Sequence, residues 1–65
     1  MSEIHYQEKF LSLEEAMSDA KAKSKELGTK VAVIQKKRLF YVDTNVTPMD
    51  KEELHVVYEN GKKSK

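Results

Sequence analysis

The chain has 65 residues, no cysteine, and twelve basic against eleven acidic side chains, for a net charge of +1. A chain this short makes one domain at most and buries only about 60% of the surface its unfolded form exposes. The missing cysteines exclude disulfides, thiolate metal sites and thiol nucleophiles, and the near-neutral balance lacks the basic excess of a domain held to nucleic acid mainly by phosphates.

Residues 3–10 alternate, with Ile4, Tyr6 and Phe10 on one side and Glu8 breaking the pattern, which predicts an edge strand. A helix is predicted over 12–27. Ser12 stands three residues before Glu15, the spacing of a capping box, and Leu11 is placed to pack on Ala16 as a hydrophobic staple. Leu13, Ala16, Met17, Ala20, Ser24 and Leu27 recur at three- and four-residue spacing on one narrow stripe. Gly28 stands where a left-handed residue closes a helix, and acidic residues come early and lysines late, as the macrodipole favours.

Residues 31–35 and 38–43 are rich in β-branched and aromatic side chains and predict a hairpin across Lys36-Lys37, with Ile34 opposite Leu39. Val31, Val33, Phe40 and Val42 then line one face, and Ala32, Ile34, Leu39 and Tyr41 the other. Residues 44–53 read as a polar connection with Pro48 and a helical turn at Asp50 to Glu53. Leu54 to Tyr58 predicts a strand over 54–58; the competing reading is a helix from Thr47 and Pro48 to Gly61. Residues 62–65 read as a frayed basic tail. The expected fold class is α+β, a small single domain in β-α-β-β-β order. One amphipathic helix packs on one face of a mainly antiparallel sheet, with a core of Leu13, Met17, Ala20, Leu27, Val31, Val33, Phe40 and Val42.

No apolar run exceeds four residues, far short of the roughly 20 needed to span a membrane. The first residues, Met1-Ser2-Glu3-Ile4-His5, lack the basic start and apolar stretch of a signal peptide. A cytoplasmic address is therefore expected, and the sequon Asn45-Val46-Thr47 is read as coincidental.

An enzyme is not expected. Ser12 serves as a cap, Ser24 lies on the buried stripe, and the Asp50/Glu52/Glu53 carboxylates read as a solvated turn. No cofactor, metal or small-molecule substrate is expected. His5 and His55 would meet only if the first and last strands paired, and a third ligand would still be lacking. The expected function is a non-catalytic protein–protein interaction module: an adaptor, inhibitor or accessory protein. It would act through the hairpin face Ala32, Ile34, Leu39 and Tyr41 or through a sheet edge, on another protein or as a homodimer. That hairpin face stays bare unless residues 44–53 or the N-terminal segment fold over it. The alternative is a nucleic-acid-binding module using Lys36, Lys37 and Arg38 at the hairpin tip.

Overall fold

The computed structural model describes residues 5–46 and 52–64. In chain order the elements are β1 (Gln7–Phe10), α1 (Leu13–Leu27), β2 (Val31–Lys36), β3 (Leu39–Asp43), β4 (Glu53–Glu59) and β5 (Lys62–Lys63). They form a five-stranded sheet in the order β1-β3-β2-β4-β5, antiparallel throughout, with α1 on one face. The expected α+β class holds, with one strand more than expected. The expected first residues of the opening strand, 3–4, lie outside the described residues, as do Pro48 and the Asp50-Lys51 part of the expected turn.

The helix begins and ends where its local chemistry places it. Ser12 has extended backbone and its hydroxyl accepts the Glu15 N–H at 3.5 Å. Gly28, at φ 67°, donates its N–H to the Ser24 carbonyl at 3.1 Å. Ala16, Ala20 and Ser24, four residues apart, are the side chains buried most completely, flanked by half-buried Leu13 and Met17. Small side chains at this spacing let the helix backbone lie close on the sheet. Ser24 is the buried polar exception, and it is satisfied twice. Its hydroxyl donates to the Lys21 carbonyl and accepts the Gly61 N–H, both at 2.9 Å. The expected staple does not form: Ala16 is buried by the sheet, while Leu11 is 80% exposed.

The hairpin differs from expectation in register. β2 runs through Lys36, the connection is Lys37-Arg38, and Lys36 faces Leu39 while Ile34 faces Tyr41. Lys37 takes φ 61°, a conformation that costs a non-glycine residue roughly 1 kcal/mol. The Gln35 side-chain amide steadies the turn by donating to the Lys37 carbonyl at 3.0 Å. Because side chains alternate with period two, this two-residue slip leaves every residue on its expected face.

β4 overturns the helix reading of the C-terminal segment, and it is not a plain strand. Val33 pairs with Val56 but Ile34 pairs with Leu54, so His55 is the extra residue of a bulge. Strict alternation would put Leu54, Val56 and Tyr58 on one face. The bulge instead sends Val56 and Tyr58 toward the helix and Leu54 and Val57 to the far side, where each packs among apolar neighbours. Asn60 and Gly61 then turn the chain with φ 54° and 79°, both positive as a type I′ hairpin turn requires. Residues 62–63 are thus strand β5 rather than part of a frayed tail, and Ser64 follows with its N–H on the Val57 carbonyl at 2.7 Å.

The sheet separates two apolar layers. Val31, Val33, Val42, Val56 and Tyr58 pack under the helix with Ala16 and Ala20, and Tyr6, Phe10, Leu13, Met17 and Phe40 close the rim. Ala32, Ile34 and Val57 form the far layer, covered in part by Val46 and Leu54. Fully burying one such valine stabilises the fold by roughly 1.5–3 kcal/mol.

Candidate functional site

The hairpin face expected to receive a partner is largely filled by the chain itself. Ala32 is 0% and Ile34 4% exposed, because Val46 from the connection and Leu54 from β4 pack against them. Only Leu39 and Tyr41 remain half-buried. A shallow depression of about 230 Å³ survives there, lined by Gln7, Ile34, Lys36, Tyr41, Asp43 and Glu52. Its Asp43 carboxylate is already engaged, accepting from the Gln7 side chain at 3.0 Å and the Asn45 N–H at 2.9 Å.

The basic groups fall at two places. Lys36, Lys37 and Arg38 are exposed at the hairpin tip, near the start of the helix, since Phe40 pairs with Phe10 just ahead of the cap Ser12. Lys21 and Lys25 border a hollow beneath the Asn60-Gly61 turn, so the helix lysines and the C-terminal lysines meet on one flank. The histidines do not meet. β1 and β4 are separated by β3 and β2, and the His55 Nε2–H donates to the Gln35 side-chain oxygen at 2.7 Å. Among the described residues, no group of three His, Asp or Glu could hold a metal ion. Among the same residues, no helix is long and apolar enough to cross a membrane.

The more open surface is the outer edge of β1. Thr44 donates its N–H to the Tyr6 carbonyl at 3.1 Å, and the Tyr6 N–H donates to the Thr44 hydroxyl at 3.1 Å. Tyr6 therefore turns its main-chain groups toward β3. By the alternation of an antiparallel ladder, Glu8 and Phe10 do the same, and Gln7 and Lys9 turn theirs outward. Those outward groups have no hydrogen-bond partner among the described residues. Leu11, exposed and apolar, follows directly after the strand.

Charge is ordered around this edge. A shallow, nearly flat depression lies along the outer side of the helix beside the end of β1, lined by Phe10, Glu14, Glu15, Ser18, Asp19 and Ala22. Tyr6 ties the strand to the helix next to it, its hydroxyl donating to Asp19 Oδ2 at 2.7 Å. The Lys23 ammonium lies 5.3 Å from the centre of the Tyr6 ring and also pairs with Glu26 at 3.3 Å. Loss of water around the phenol, and next the hydrogen bond to Asp19, push its pKa well above the ordinary value.

Sequence patterning marked residues 3–10 as an edge strand, yet the outward turn of Gln7 and Lys9 follows only from the pairing with β3. No family model matches the chain, and neither curated proteins nor solved structures give a match.

Proposed function

We propose that the protein is a non-catalytic protein-binding module that accepts an extended segment of a partner at the outer edge of β1. The single observation that carries this reading is the open row of main-chain groups at Gln7 and Lys9, beside the exposed Leu11. Unpaired strand edges are templates for another strand, with main-chain hydrogen bonds supplying affinity and flanking side chains specificity. Filling of the hairpin face moves the expected contact from Ala32 and Ile34 to the edge; Leu39 and Tyr41 remain at its margin. Ser12 and Ser24 are occupied as cap and helix pin, which favours a non-catalytic role. The cysteine-free composition suits a cytoplasmic setting.

The test is a random-peptide display selection on the wild-type chain, followed by rebinding to Lys9→Pro. Proline at position 9 removes an outward N–H and leaves the β1–β3 ladder bonds intact. Binders should weaken roughly tenfold or more on Lys9→Pro, and stay within a few-fold on Tyr41→Ser. A library that yields no binder, or binders indifferent to Lys9→Pro, overturns the reading.

A further inference from the structure

Building on strand addition at β1, we infer that the incoming segment is basic, carrying lysine or arginine at alternate positions. A strand laid along β1 sends its side chains alternately to the two sheet faces. The row opposite Glu8 lies on the helix side and reaches the depression lined by Phe10, Glu14, Glu15, Asp19 and Ala22. Phe10 and Ala22 offer apolar surface for the methylene stems of long cationic side chains. Glu14, Glu15 and Asp19 line the depression and Glu8 lies on the same side of β1, against the Lys23 ammonium, which already pairs with Glu26; neither Glu14 nor Glu15 forms an ion pair among the described residues. The positive end of the helix dipole, worth roughly half a charge, opposes a cation there but is outweighed by these full charges. The other row of the segment lies beside Gln7 and Lys9, where a neutral side chain avoids repulsion.

A second copy of this chain fits the edge poorly. The helix-side row of its own β1 is Tyr6, Glu8 and Phe10, so self-pairing brings another carboxylate to an acidic depression. The opposite edge, β5, has only two residues and both are lysines, too short to pair along the whole of β1.

The measurement uses three labelled ten-residue peptides, alternating Thr with Lys, Gln or Glu, titrated against the full chain by fluorescence anisotropy. Each exposed ion pair contributes roughly two- to fivefold at most. The Thr–Lys peptide should therefore bind roughly five- to twentyfold more tightly than Thr–Gln, with Thr–Glu weakest. Glu14→Gln combined with Glu15→Gln should erase most of that preference and its salt dependence. Lys9→Pro should weaken all three peptides. If Thr–Gln or Thr–Glu binds as well as Thr–Lys while Lys9→Pro still abolishes binding, the basic preference is wrong and strand addition stands. If Thr–Lys binding survives Lys9→Pro, simple charge attraction explains it and strand addition fails. A peptide-free dimer that dissociates on Lys9→Pro would assign the edge to a second copy and overturn the inference.

Discussion

The two edges of the sheet are built differently. β5 is two residues long, carries Lys62 and Lys63, and its turn is pinned to the helix by the Gly61 N–H on the buried Ser24 hydroxyl. Short length and lysines are the usual devices that keep a sheet edge from recruiting another strand. β1 is four residues long, anchored by the Tyr6 phenol on Asp19, and followed by an exposed leucine. One edge is guarded; the other is tied to the helix and, among the described residues, left uncovered. The contrast, rather than apolarity, is the ground for the proposed contact surface, because the most apolar segment, Val31 to Ile34, is buried within the fold.

The largest way to break this contrast is Glu8→Pro, one residue from the edge-specific Lys9→Pro. Position 8 bonds to β3, so proline there removes a ladder hydrogen bond, should cost the most stability of the changes proposed and should detach β1; urea unfolding will show whether position 9 is spared. Next comes Ser24→Ala, which leaves the Gly61 N–H without its acceptor and should cost about 1–3 kcal/mol. Chemical shifts of Lys62 and Lys63 should move toward coil values in that variant, while β1 stays unchanged.

Tyr6→Phe should have a smaller effect, under about 1 kcal/mol near neutral pH, because the phenol–Asp19 bond is only part-buried. Its clearer signature is alkaline. The folded phenol has a raised pKa, caused by desolvation and then by Asp19, so folding favours the neutral form. That contribution is complete below the unfolded value of about 10 and is lost as pH rises above it. Wild-type stability should fall more steeply than that of Tyr6→Phe in this range. Smallest of all, Leu11→Ser should change stability by no more than about 0.5 kcal/mol while weakening edge binding; a larger stability loss would mean that Leu11 is packed after all.

Much of the fold was legible because several local signals agreed. Ser12, the apolar stripe and Gly28 mark one helix, and the face assignment in the hairpin survived a wrong register because the slip was even. Three features were not legible, each for a physical reason. The bulge at His55 breaks alternation within Leu54 to Tyr58, and no residue there announces it. Residues 62–65 read as a frayed tail, but Asn60-Gly61 is the strongest hairpin signal, and Lys62–Lys63 pair as a strand despite their polarity. The sequence leaves the far face either bare or covered by residues 44–53 or the N-terminal segment; Val46 from 44–53, with Leu54, covers it, a tertiary event that pattern alone does not decide. For the site, pattern gave an edge strand at β1, whereas the exposure of Leu11 contradicts the staple that sequence spacing suggested.

Among the described residues Gln7 and Lys9 turn their main-chain groups out of the sheet without partners, while Glu8 and Phe10 are held in the β1–β3 ladder. Residue-resolved amide hydrogen exchange on the free protein tests this arrangement without knowledge of any partner. Exchange should be fast at Gln7 and Lys9 and slow at Glu8 and Phe10, alternating along a single strand. Equal protection at all four amides would contradict it.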